Sequence, residues 1–186
     1  MISAVQPDLQ ASSEVRQSMG SSPPDPGAVA SLDPANIAKI AAVQKSRILV
    51  VEDNPFVREG VIRLVNRQMD LICCGEADTI AATPSLVARE KPNLVLLDLR
   101  LKDGECFDLL DMLRIEFPGV PTLILSQCDE ALYAERALRA GAKGYVMKQE
   151  AGGEVLEAIR AVLLGKIYVS REMAGPLLQK LLRKQT

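Results

Sequence analysis

Residues 93–100 read NLVLLDLR, an asparagine before four consecutive apolar residues and then an aspartate. The apolar run is short and does not alternate with polar residues, the pattern of a strand buried on both faces. Working outward, RILVV at 47–51 and TLILS at 122–126 share this character, while DLICC at 70–74 and GYVM at 144–147 are weaker and are expected nearer the sheet edges. Between and after these runs lie amphipathic stretches at helical spacing: PFVREGVIRLVNRQ, TIAATPSLVARE, CFDLLDMLRIEF, DEALYAERALRA and GEVLEAIRAVLLG. Five strand and helix pairs in strict alternation predict an α/β fold, a doubly wound parallel sheet with helices on both faces. Pro84 inside the second helical stretch is expected to shorten or kink it.

In such a sheet, ligands bind beyond the carboxyl ends of the strands, where the strand order reverses. The residues following each strand are therefore the candidates for chemistry. The first strand ends in Glu52 and Asp53, the third in Asp98, the fourth in Ser126 and the fifth in Lys148, so acids, a hydroxyl and an amine converge on one rim. Crowded carboxylates repel one another unless a cation relieves them. Magnesium (Mg2+) suits oxygen ligands of this kind, with Asp53 and Asp98 direct, Glu52 acting through water, and manganese (Mn2+) able to substitute. Phosphoryl transfer asks for an in-line nucleophile and positive charge on the equatorial oxygens. Asp98 offers the nucleophile, Lys148 and the cation the charge, and the Ser126 hydroxyl a hydrogen bond.

The rest of the composition narrows the choice. The chain has 186 residues, 48% of them hydrophobic, enough for one ordinary domain with flanking segments, and its net charge of -2 lacks the basic excess of a nucleic-acid or membrane-surface binder. It contains no histidine, which removes Ser/His/Asp and Cys/His catalysis and histidine-ligated zinc. Cys73, Cys74, Cys106 and Cys128 fall in or beside predicted strands and read as reduced core thiols of a cytoplasmic protein, with Cys73 and Cys74 pointing to opposite sheet faces. No signal peptide or membrane-spanning stretch is legible.

Residues 1–45 read as a disordered leader with a candidate short helix from Pro34, residues 46–165 as the folded domain, and residues 166–186 as a C-terminal linker or packing helix interrupted near Gly175 and Pro176.

The motifs, in their order, resemble those of the response regulator receiver family over roughly residues 47–165. VEDN at 51–54 is similar to the family's acidic pair, LLDLR at 96–100 to its phosphoacceptor strand end, LILS at 123–126 to its switch hydroxyl, and GAKGYVMK at 141–148 to its switch aromatic and lysine. The wording around EDNPFVREG and GAKGYVMK is most similar to the LuxR-like (NarL/FixJ) branch. The resemblance implies a flavodoxin-like strand order 2-1-3-4-5, Asp98 as phosphoacceptor, Ser126 and Tyr145 as switch residues, and the backbone carbonyl of Arg100 as a further metal ligand. Taken alone, Tyr145 reads equally as a half-buried packing aromatic, and the Arg100 side chain as a solvated one. The resemblance further implies a histidine kinase or phosphotransfer protein as phosphodonor, and a homodimer through helices 4/5 or 1/5. No enzyme activity is implied beyond self-catalysed phosphorylation and dephosphorylation. The sequence departs from the branch at Lys102, where a proline is common. It also stops at Thr186 without the helix-turn-helix unit of the branch, so that DNA contact is expected only if the chain is part of a longer regulator. Two other readings stand beside this one. The first is a docking module that keeps the fold without phosphorylation. The second is an aspartate-nucleophile phosphatase, which would need an acid where Arg100 stands.

Overall fold

A computed structural model of the chain describes residues 44–150 and 152–183. The expected leader up to residue 43, with nearly all of its candidate helix, lies outside the described residues. Strands β1 (Ser46–Val51), β2 (Leu71–Ala77), β3 (Leu94–Leu97), β6 (Thr122–Ser126) and β7 (Gly144–Met147) form one parallel sheet in the order β2-β1-β3-β6-β7. Set apart from it, β4 (Arg100–Leu101) and β5 (Gly104–Glu105) make a short antiparallel hairpin. With that hairpin left out of the count, the order is the flavodoxin-like 2-1-3-4-5, and the two weaker apolar runs are the two edges.

The sheet separates two cores because successive residues of a strand face opposite ways. Leu49, Val51, Val95, Leu97, Ile124 and Tyr145 point to one side. There they meet α2 (Thr83–Glu90), α3 (Phe107–Glu116) and α4 (Glu130–Ala140). Ile48, Val50, Leu94, Leu96, Leu123 and Val146 point to the other, against α1 (Pro55–Asn66) and α5 (Gly152–Leu163). Full burial of aliphatic chains such as these stabilises by about 1.5–3 kcal/mol each relative to exposure. Cys73 and Cys74 divide between the two cores, as their adjacency requires, and the four cysteines are free thiols.

Local signals explain the helix starts. Asn54 caps α1, its Oδ1 accepting from the Phe56 and Val57 amides at 3.0 and 3.3 Å, with Pro55 in the first turn. Asp129 caps α4 through the Ala131 amide at 2.8 Å. Pro84 does not kink α2, but the helical stretch expected over 79–90 is shortened: α2 begins at Thr83, so the ring sits in the first turn, where the missing N–H has no intrahelical partner to lose.

After α5 the chain returns to the sheet edge. The Tyr168 carbonyl accepts from the Tyr145 amide at 2.9 Å, and the Tyr168 amide donates to the Lys143 carbonyl at 3.0 Å. Farther on, the Ser170 amide donates to the buried Glu130 carboxylate at 2.8 Å. Helix α6 (Arg171–Arg183) follows, lies against α4, and buries Leu177. It runs through Gly175 and Pro176 unbroken, contrary to the expectation of an interruption there. Pro176 removes the hydrogen bond to the Glu172 carbonyl, but both residues are exposed and water can reach it. The side chains of Leu178 and of residues 180–183 lie outside the described residues.

Gly144 is where this return is tightest. A Cβ there would stand 2.8 Å from the Tyr168 carbonyl oxygen and 2.8 Å from Leu123 Cδ1. Gly144→Ala is therefore expected to destabilise the domain by about 1–3 kcal/mol, the usual cost of overpacking. Chemical denaturation checks this, and an unchanged midpoint would mean that the 166–170 segment is not seated against β7.

Candidate functional site

The carboxyl ends of β1, β3, β6 and β7 open into a cleft of about 490 Å³ lined by Glu52, Asp53, Asp98, Arg100, Ser126, Tyr133 and Lys148, among others. β1 lies between β2 and β3 in the sheet, so the strand order reverses at β1 and the cleft sits at that reversal. One carboxylate oxygen from each of Glu52, Asp53 and Asp98 can be chosen so that all three lie within 4.8 Å of one another. Glu52 and Asp98 are 3% and 7% exposed, because the sheet carries them at the ends of strands that are themselves buried.

Lys148 binds two of the three acids. Its Nζ lies 2.6 Å from Asp98 Oδ2 and 2.6 Å from Glu52 Oε2. The Asp53 carboxylate makes no hydrogen bond or ion pair with the described residues, and so is free to take up an added cation. Burial raises the Glu52 carboxyl above its ordinary value, opposed by the hydrogen bond and charge of Lys148. Burial by itself would lower Lys148; its hydrogen bonds to Asp98 and Glu52 outweigh that and hold the ammonium above its usual range.

The other expected residues are near. The buried Ser126 hydroxyl accepts from the Cys128 amide at 3.2 Å, and the Ser126 carbonyl accepts from the Lys148 amide at 2.8 Å. Tyr145 is fully buried with its ring inward, and its hydroxyl donates to the Cys128 carbonyl at 2.7 Å. It is thus a core aromatic whose polar tip holds the loop after β6. The Arg100 amide donates to Asp98 Oδ1 at 3.3 Å.

Several contacts were not legible in the sequence. The Arg100 side chain does not stand alone in solvent: its guanidinium donates to the Tyr133 hydroxyl at 2.8 Å and pairs with Glu105 at 3.3 Å. Arg136 of α4 reaches the same Glu105 at 3.7 Å and stacks over the Phe107 ring at 3.6 Å. On the opposite side of the hairpin, the Asp103 carboxylate accepts from the Ile80 and Ala81 amides, and Lys102 pairs with Asp78. The hairpin thus has side-chain ties to both neighbouring segments in place of a proline. Beneath it, the buried Cys106 thiol donates to the Asp98 and Leu99 carbonyls at 2.6 and 2.9 Å, and burial pushes its pKa up to about 12. The pairing of hairpin and helix charges was foreshadowed only by their opposite signs.

The family model for the response regulator receiver domain matches residues 48–160. The chain belongs to that family. Among curated relatives, this receiver is 33% identical over 137 residues to the DNA-binding transcriptional activator DevR/DosR of Mycobacterium tuberculosis, covering 73% of this chain and 62% of that protein. It is also 33% identical over 137 residues to the oxygen regulatory protein NreC of Staphylococcus aureus, covering 72% and 62%. The chain thus spans less than two thirds of the length of these relatives. Among solved structures, a LuxR-family two-component response regulator from Aurantimonas sp. SI85-9A1 superposes with a TM-score of 0.69 at 29% identity, covering 74% of this chain and 99% of that one. The signal receiver domain of NarL from Mycobacterium tuberculosis superposes at 0.62 with 30% identity, covering 66% and 98%. Resemblance to the LuxR-like branch therefore holds in sequence and in fold. No helix among the described residues is long and apolar enough to cross a membrane.

Beside the cleft lies a larger cavity of about 900 Å³ between α4, the start of α5 and the returning segment, lined by Glu130, Glu150, Glu154, Glu157 and Glu172 among others. Burial and the hydrogen bond and charge of Glu154 push Glu150 from 4.5 up to about 7. A raised folded pKa contributes stability that is present below the unfolded value and lost as pH rises through the folded one. Glu150→Gln is therefore expected to make the fall in stability between pH 4.5 and about 7 shallower. Thermal unfolding across that range tests it; an unaltered slope would assign the fall to other groups.

Proposed function

We propose that this receiver is a phosphorylation switch of a two-component phosphorelay, with Asp98 as the phosphoacceptor. The observation that carries the reading is the three-carboxylate cluster with Lys148 bridging Asp98 and Glu52 at 2.6 Å. An Asp98 oxygen attacks the phosphorus of a phosphohistidine on a histidine kinase or phosphotransfer protein. The P–N bond breaks with its electron pair going to the imidazole, which takes up a proton, and Asp98 becomes an acyl phosphate. Lys148 keeps its charge beside the transferred group, and the Ser126 hydroxyl donates to one of its oxygens.

Hard oxygen donors this close together suit magnesium (Mg2+), or manganese in its place, which Glu52, Asp53 and Asp98 would hold, with the Arg100 backbone carbonyl a further ligand as the family resemblance implies. Bound there, the ion neutralises charge on the acids and on the phosphoryl oxygens. A hydrolytic phosphatase is disfavoured, because two positions after Asp98 stands Arg100, bound to Tyr133, rather than a carboxylic acid.

Output follows from a population shift in which phosphorylation favours one arrangement of the Ser126 loop, Tyr145 and α4. The Tyr145 hydroxyl already binds the loop that follows Ser126, so displacement of that loop is felt directly by β7 and α4. Of the two homodimer arrangements, the one through α1 and α5 is favoured, because α4 is already engaged by Ser170 and α6. The test is intact mass after incubation with a small-molecule phosphodonor, with and without magnesium. One magnesium-dependent phosphoryl adduct supports the reading; none on a folded chain leaves the docking-module reading in its place.

A further inference from the structure

Arg58 lies in the first turn of α1, where the helix starts back over the end of β1. Its Nη1 donates to the Glu52 carbonyl at 2.7 Å and lies 3.5 Å from the Asp53 carbonyl. Its Nε donates to the Glu76 carboxylate on β2 at 3.0 Å. The Glu52 amide still belongs to the sheet through the Ala77 carbonyl at 3.0 Å, but beyond it the chain turns away from the ladder. One guanidinium thus anchors the corner that carries two of the three clustered carboxylates, and that guanidinium is itself tied to the neighbouring strand.

We infer that Arg58 is a positioning residue that sets the cation affinity of the Glu52–Asp53 corner. The inference rests on the reading of Glu52, Asp53 and Asp98 as magnesium ligands. Geometry and charge act here in opposite directions, which makes the role testable. As a bare positive charge near three acids, Arg58 would repel a divalent ion, and its removal would tighten binding. As an anchor bonded to the Glu52 carbonyl rather than to the carboxylates of the cluster, it holds Asp53 in register with Asp98, and its removal loosens binding. The fork matters too, because a guanidinium carries separate N–H groups in a fixed plane for the carbonyl and for Glu76, whereas a lysine ammonium on its flexible stem does not.

The experiment is calorimetric titration of magnesium into the full chain and into Arg58→Gln, Arg58→Lys and Glu76→Gln, with thermal unfolding in the absence of magnesium as the check on folding. Both Arg58 variants are expected to bind magnesium about tenfold more weakly, the low end of the effect of removing an outer hydrogen bond from a metal site. Glu76→Gln, a change on the exposed side of the anchor, should move in the same direction by less, and it serves if the Arg58 variants do not fold. Unchanged or tighter binding in Arg58→Gln, or native affinity in Arg58→Lys, would overturn the inference while leaving the magnesium site standing. Failure of the native chain to bind magnesium would overturn the site itself.

Discussion

Asp98→Asn is expected to abolish the phosphoryl adduct while leaving the domain folded. The side chains have nearly the same shape, and the backbone contact that holds the position, the Asp98 amide to the Val51 carbonyl at 2.9 Å, is untouched. The change also removes one negative charge from a cluster of three, so repulsion from Glu52 and Asp53 falls as the contact with Lys148 weakens. An amide, however, lacks the ionised oxygen needed to attack phosphorus. Intact mass of the variant beside the native chain measures this. An adduct of native size on Asp98→Asn would place the acceptor elsewhere and sink the assignment.

Lys148→Met is expected to have the second largest effect, on stability and on chemistry together. The lysine side chain is 8% exposed and is bound to two acids that are themselves buried. Removing one member of a buried ionic cluster leaves the remainder uncompensated, at a cost of about 3–5 kcal/mol. The pH dependence identifies the cause. Burial already raises Glu52 from 4.5, and without the opposing lysine it rises further. Its contribution is then present below pH 4.5 and lost as pH rises through the raised value, so the variant should be closest to native in acid and weakest at neutral pH. Magnesium at neutral pH should recover part of the loss by binding the folded form. Adduct formation should fall by about a hundredfold or more, as when a donor to a developing anionic oxygen is removed. Denaturant titrations at acidic and neutral pH, each with and without magnesium, decide the matter. A deficit independent of both would assign Lys148 to packing instead.

The two variants separate the acceptor from its electrostatic partner. Together with the Arg58 series, they ask of each layer of the cleft a different question: which atom bonds, which charge holds the acids together, and what keeps the acids in place.

Much of the fold was legible because its signals are local. A run such as Leu94–Leu97 lacks alternation because both of its faces are buried, and Cys73 and Cys74 must part because a strand turns each successive side chain over. The rim was legible for a related reason: in a parallel sheet every strand ends on the same side, so the residues after four strands are gathered without knowledge of any contact. Pro84 marks where the second helical stretch is cut short, but the sequence does not say whether a helix has already begun when a proline arrives; here it begins one residue earlier, so the ring starts α2 instead of kinking it.

What the sequence determined by itself was the alternation of elements, the identity of the buried strands and the set of groups at their ends, each of which depends on the spacing of neighbouring residues. Only the tertiary structure decided that Tyr145 lies inward on the Cys128 carbonyl, that Cys106 closes on the Asp98 carbonyl, that Arg100 and Arg136 tie the hairpin to α4, and that Arg58 supports the acids from behind. These are choices among rotamers. Each was settled by which carbonyl, hydroxyl or opposite charge stood within reach once the sheet and helices had closed, a distance that packing sets and that sequence spacing does not encode.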